Sequence, residues 1–159
     1  MEGAREYTVN LKVYHDLHKI TVIIRVHKES RWKPENLYIS LPFTTGEQEE
    51  LYIDKTGCII RPGIDQLLGS NKEFYLLQKG ICYKGKDKSL ILAIKNDPLI
   101  AMGDLKNHQI GLCNGKNYNL NKSVVYSWVM NNFWKTNFKV DLGGFYQFKY
   151  KLYTIHENN

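Results

Sequence analysis

Tyr7-Thr8-Val9-Asn10-Leu11-Lys12-Val13-Tyr14 alternates apolar and polar side chains almost residue by residue. Successive side chains of a strand point to opposite faces. Tyr7, Val9, Leu11 and Val13 therefore share one face, and Thr8, Asn10, Lys12 and Tyr14 the other. The pattern predicts a β-strand with one buried face. After the short polar connection 15–19, the stretch 20–27 (ITVIIRVH) predicts its antiparallel partner. A helix would need an apolar stripe at a period of 3.6 with caps, and no window of helical length has one.

The same reading extends along the chain. Residues 36–43 and 51–54 predict two further strands, with Pro42 near an end or an edge because it has no N–H for a ladder. Asp54-Lys55-Thr56-Gly57 is a turn into 58–61. Residues 62–70, bounded by Pro62 and Gly69, form a loop that could hold one helical turn. Residues 74–79 predict a strand continued by 81–83, with a bulge at Gly80. The apolar run 90–94 is expected to lie between two layers. Residues 99–102 and 109–112 are short strand candidates, and 124–130 suits strand or helix. Residues 146–153 alternate and close the fold. Ten or so short strands with regular turn signals predict an all-β antiparallel β-sandwich, one domain over residues 1–159.

Composition agrees with that class. The 159 residues include eleven Tyr, six Phe and three Trp, types that suit a half-buried pleated surface. Cys58, Cys82 and Cys113 are odd in number and dispersed, which predicts buried free thiols rather than a disulfide framework. With no charged-then-apolar leader, a cytoplasmic location is expected. No apolar run approaches the ~20 residues that span a bilayer, so no membrane partner is expected. The net charge of +6 raises nucleic acid, but the cations are scattered in sequence. The densest group, Lys84-Gly85-Lys86-Asp87-Lys88, reads as a hairpin tip, and no nucleic-acid partner is predicted.

Side chains with chemistry are sparse. His15 and His18 flank Asp16, but an i, i+3 pair in a turn lacks the spacing of a zinc site, so no metal ligand is assigned. No nucleophile elbow or phosphate-binding glycine loop occurs. Paired carboxylates on rigid strand ends are also missing: the acids fall mostly in polar turns, and only Asp65 sits in a Gly/Pro-bounded loop. No catalytic residue is assigned. The block 126–138 (YSWVMNNFWKTNF) interleaves amides with aromatic rings. A buried amide without partners costs ~1–3 kcal/mol. The block therefore reads as a polar network fixing a crossover loop, or as a sugar-stacking platform.

That block, followed by Gly143-Gly144 and Phe148-Lys149-Tyr150, resembles the closing motif of glycoside hydrolase family 38, the α-mannosidases. Asn131, Asn132, Trp134, Thr136 and Asn137 carry its most specific part. Residues 37–43 (LYISLPF), Arg61-Pro62 with Asp65-Gln66-Leu67 and Gly69-Ser70, and Asp97-Pro98-Leu99 are similar to further family segments in the same order. Leu68 stands where the family has Pro, and the Asp97 turn is one residue shorter.

The resemblance implies a galactose-mutarotase-like supersandwich, the C-terminal part of a longer multidomain enzyme. It implies that zinc and the catalytic carboxylates lie in the parent's barrel, so that this chain needs no cofactor. It implies that the chain packs on that catalytic barrel and its helical domains, and that α-mannosides are the carbohydrate concerned. Arg61, Asp65 and Gln66 are then candidates for the rim of the sugar cleft. The alternative is an independent carbohydrate-binding module using Trp32, Trp128 or Trp134. Either way the isolated chain is expected to expose an apolar patch where the barrel would sit.

Overall fold

A computed structural model describes residues 3–46, 49–103, 124–132 and 141–156. The expected strand candidate at 109–112, together with Cys113, Trp134, Thr136 and Asn137, lies outside the described residues. Eleven strands run in chain order: β1 (Ala4–Val13), β2 (Lys19–Lys28), β3 (Asn36–Leu41), β4 (Glu50–Lys55), β5 (Cys58–Ile60), β6 (Phe74–Leu76), β7 (Gly80–Lys84), β8 (Lys88–Ile94), β9 (Leu99–Met102), β10 (Val125–Asn131) and β11 (Gly144–His156). No helix occurs among the described residues. The ambiguous stretch around Val125 is strand, and the loop after Arg61 has turns only.

The strands form two antiparallel sheets, as expected of a β-sandwich. The larger is ordered β1-β2-β11-β8-β7-β4-β5 and the smaller β3-β10-β9-β6. One apolar core joins them. The larger sheet contributes Val26, Ile53, Ile81, Tyr83, Leu92, Phe148 and Tyr150, and the smaller Leu41, Tyr75, Ile100, Met102 and Val125. Each such side chain removed from water stabilises the fold by roughly 1.5–3 kcal/mol.

Register follows alternation. Val26, Ile24, Val22 and Ile20 on β2 stand opposite Tyr7, Val9, Leu11 and Val13 on one side. On the other side they stand opposite Tyr146, Phe148, Tyr150 and Leu152. All twelve share the inner face. In β10 a register shift between Trp128 and Met130 sends Ser127 and Met130 inward while Trp128 faces out. Such a bulge re-aims side chains along one strand.

Three expectations are corrected. The apolar face of β1 is not buried. Tyr7, Val9, Leu11 and Val13 are 57%, 54%, 66% and 70% exposed. Among the described residues, β1 is at the edge of a seven-stranded sheet faced by four strands, so the inner face runs on past the core's cover. Gly80 is not a bulge either. It pairs regularly with Ala93 and begins β7 after the chain has left β6 in the other sheet. A Cβ there would meet the Leu92 carbonyl oxygen at 2.2 Å, so the sheet switch requires glycine. Lastly, Cys58 is exposed and Cys82 half-buried rather than buried.

A fourth expectation also fails: residues 90–94 do not lie between two layers, because among the described residues only one face of β8 is covered. Leu92 and Ile94 are buried. Ile91 faces outward and lines a shallow depression with Ile59, Cys82 and Ala93. The Lys-rich segment is a β7–β8 hairpin tip, closed by the Gly85 N–H donating to the Lys88 carbonyl at 2.9 Å.

Candidate functional site

The crossover from β2 to β3, residues 29–35, is pinned by Asn132. This residue is 1% exposed, so its amide must be satisfied within the protein. Its Oδ1 accepts the Glu35 N–H at 2.6 Å. Its Nδ2 donates to the carbonyls of Arg31 at 3.2 Å and Lys33 at 3.0 Å. Buried Lys28 pairs with Glu35 and donates to the Glu29 carbonyl at 3.0 Å.

The same crossover is held from the other side. Ser30 donates its hydroxyl to Asp141 at 2.6 Å. Gly143 approaches so closely that a Cβ would stand 3.0 Å from the Ser30 backbone. Gly144 has φ 138°, a conformation other residues rarely adopt. Asn132 and Gly143-Gly144 thus serve one crossover, while residues 133–138 of the amide-rich block lie outside the described residues. Asn131 opposes Asn36 across β10 and β3.

Arg61, Asp65 and Gln66 are brought together in the loop after β5, but their contacts turn inward on the loop. Arg61 Nη2 donates to Asp65 Oδ1 at 2.8 Å, and its backbone N–H donates to Oδ2 at 2.9 Å. The Arg61 side chain, then its backbone N–H, hold the Asp65 carboxyl down to about 2. Gln66 Oε1 accepts the Gly63 N–H and the Tyr75 hydroxyl, both at 2.7 Å. Its Nε2 donates to the Asn71 carbonyl at 3.0 Å. Because Tyr75 lies on β6 and the loop leaves β5, Gln66 ties the two sheets together.

A second constellation surrounds Trp128, one of the three platform candidates, with rings that were not foreseen. On the outer face of the smaller sheet, Trp128 stacks on Tyr38 with centroids 5.5 Å apart. Tyr126 meets Tyr38 edge-on at 6.2 Å, and Phe74 meets Trp128 edge-on at 6.2 Å. The Trp128 indole N–H donates to Asn36 Oδ1 at 3.0 Å, which fixes the ring. Three strands therefore supply four adjoining rings with an amide beside them. Stacked and edge-on rings stabilise one another by ~0.5–1.5 kcal/mol per pair. The alternation of Tyr126 and Trp128 was readable from sequence; their pairing with Tyr38 and Phe74 was not. Trp32, by contrast, stands alone and 69% exposed.

The cations are less scattered in space than in sequence. Lys12, Lys19, Arg25, Lys149 and Lys151 lie on the outer face of β1, β2 and β11. Arg25 donates to Gln147 at 2.9 Å, and Lys12 and Lys19 lie over the Tyr14 ring. His15 Nδ1 lies 2.7 Å from Asp16 Oδ1 with both side chains highly exposed, while His18 meets His156 edge-on. Among the described residues no three His, Cys, Asp or Glu side chains converge on a metal-sized site. Among the described residues no helix is long and apolar enough to cross a membrane.

The Ser127 hydroxyl, the Tyr150 hydroxyl and the Oδ2 atom of half-buried Asp97 are shut off from solvent. Burial pushes the Asp97 carboxyl up to about 6. It pushes the Tyr150 phenol far above its ordinary value, opposed by the Ser127 hydroxyl and reinforced slightly by the Asp97 charge.

The fold and its surfaces define an all-β sandwich with an uncovered apolar strand and an aromatic outer face. No known family, curated protein or solved structure matches the chain.

Proposed function

We propose that the chain is a non-catalytic β-sandwich domain of an α-mannosidase-type glycosidase, seated on that enzyme's catalytic barrel and helical domains. The observation that carries this reading is the apolar face of β1. Tyr7, Val9, Leu11 and Val13 continue the core's inner face into solvent. Contiguous apolar surface of this kind marks a partner site. The order of motifs from residue 37 to 150 supports the choice of partner. The Asn132 clamp gives the most specific motif a structural reason within this chain. Zinc and the reacting carboxylates belong to the parent's barrel in this reading. Arg61, Asp65 and Gln66 stiffen the adjacent loop, and the exposed parts of Arg61 and Asp65 are what they would present to the cleft rim. The supersandwich type and a cytoplasmic location are part of the same proposal.

The test is reconstitution. The chain is mixed with a family 38 α-mannosidase truncated before its own C-terminal sandwich, and mass and α-mannoside turnover are followed. A one-to-one complex is expected. Turnover of α-mannosides by the purified chain alone, or no complex, overturns the reading.

The aromatic outer face favours a second reading, an independent carbohydrate-binding module. Ring faces pack on the C–H faces of sugars, and the Asn36 amide can serve hydroxyls. Calorimetry with α-mannobiose distinguishes the two. Millimolar binding lost in Trp128→Ala supports a module, and absence of heat excludes it.

A further inference from the structure

Among the described residues, four strands form the edges of the two sheets: β1 and β5 in the larger, β3 and β6 in the smaller. Exposed edges invite pairing, and proteins blunt them with short strands or proline. β5 and β6 have three residues each. β3 ends at Leu41 against Pro42. β1 has neither device. It runs for ten residues without Pro or Gly, and its irregularity is confined to its start, between Ala4 and Glu6. Among the described residues no strand pairs with its outer side.

We propose that this edge pairs with the β1 edge of a second copy of the chain, antiparallel and across a two-fold axis at Val9. An axis normal to the sheet preserves faces, so it must pass through a residue rather than between two. Charge selects which residue. Glu6 and Lys12 are exposed and lie on the same face. Centring on Val9 sets Glu6 of each copy opposite Lys12 of the other, twice by symmetry. Tyr7 then stands opposite Leu11 and Thr8 opposite Asn10. Moving the axis to Thr8 or Asn10 sets Lys12 opposite Ala4 or Thr8 and loses both ion pairs. Opposite charges directly across a ladder stabilise it and like charges destabilise it.

The assembly closes. Pairing consumes the long edge of each copy and leaves only the three-residue β5 at the outer ends of the joined larger sheet. A two-fold interface of this type gives a dimer rather than a fibre. The pairing uses the hydrogen-bonding edge of β1 and leaves its apolar face to the partner of the proposed function. It does not depend on the glycosidase reading, and either can fail alone.

Sedimentation and light scattering of the 159-residue chain test it, with a concentration-dependent dimer expected. Glu6→Lys and Lys12→Glu each weaken the dimer about tenfold, and the double reversal restores it. Circular dichroism checks that these exposed changes leave the fold intact. A second probe reads the register. Directly opposed Cα atoms in an antiparallel ladder lie ~4.5 or ~5.5 Å apart, within the ~4.4–6.8 Å of a disulfide. Val9→Cys therefore cross-links on oxidation well above the background of the native thiols. Val13→Cys, opposite Arg5, does not. A monomer at every concentration overturns the proposal, including one whose β1 edge is covered by residues 104–123 of its own chain. So does a dimer indifferent to both reversals, or equal cross-linking by the two cysteine variants.

Discussion

Asn132→Ala removes the hub of the crossover between the sheets. Among the bonds lost are one from the Glu35 N–H at 2.6 Å and two to the carbonyls of Arg31 at 3.2 Å and Lys33 at 3.0 Å. Alanine fills less than the space left, and the site is 1% exposed, so water enters poorly. A buried group left unmet costs about 1–3 kcal/mol, with an orphaned N–H dearer than a carbonyl that keeps a second lone pair. Counting the N–H in full and the carbonyls in part gives a loss of about 3 kcal/mol. That is a large share of the ~5–15 kcal/mol by which domains are stable. With a urea m-value of about 2 kcal/mol/M the midpoint falls by ~1.5 M. Asn132→Asp keeps the acceptor for Glu35 but turns a second oxygen on two carbonyls, so it loses at least as much at neutral pH. Urea unfolding followed by tryptophan fluorescence measures both. A midpoint shift for Asn132→Ala below ~0.5 M, about 1 kcal/mol, would refute the assignment of Asn132 as the clamp.

Other outcomes follow from single groups. Arg61→Ala releases the Asp65 carboxyl from about 2 towards its ordinary 3.8, which carboxyl-carbon NMR reads directly. In the wild-type chain this depressed group supports stability above pH 3.8 and loses that support as pH falls towards about 2. Asp97 has the opposite sign. Its folded form keeps a proton between pH 3.8 and about 6, so its contribution to stability falls as pH rises through that window. The full shift corresponds to ~3 kcal/mol, which its partial exposure discounts to about 1. Asp97→Asn removes that slope and is the more stable form above pH 6 by that amount in urea titrations across pH. Gly80→Ala drives a methyl into the Leu92 carbonyl oxygen and lowers stability by about 3 kcal/mol or more in the same assay.

Much of the fold is readable in the alternation. β1, β2 and β11 each repeat at period two, and the structure pairs them in one sheet with their apolar sets aligned. What alternation cannot state is whether anything covers the face it defines. Tyr7, Val9, Leu11 and Val13 read as buried and are exposed, because coverage depends on how many strands the opposite sheet supplies. Gly80 shows a related gap. Both a bulge and a sheet switch require glycine in a strand, and only the three-dimensional course of β6 into β7 separates them.

The candidate residues divide in the same way. Asn132 was legible as a buried network because an amide among apolar residues must find partners. Arg61, Asp65 and Gln66 share a loop as expected, yet their partners are one another, Gly63, Asn71 and Tyr75. The four-ring face was hidden because Tyr38, Phe74, Tyr126 and Trp128 come from three strands far apart in sequence. The cations of β1, β2 and β11 gather on one face for the same reason.

The apolar face of β1 as a docking surface is tested most directly by affinity. The wild-type chain and Leu11→Glu, a change on an already exposed side chain, are each titrated into the truncated α-mannosidase. Saturable binding by the wild type, weakened at least thirtyfold by a carboxylate placed in the apolar seam, is the predicted result. Equal binding by both forms, or none by the wild type, contradicts it.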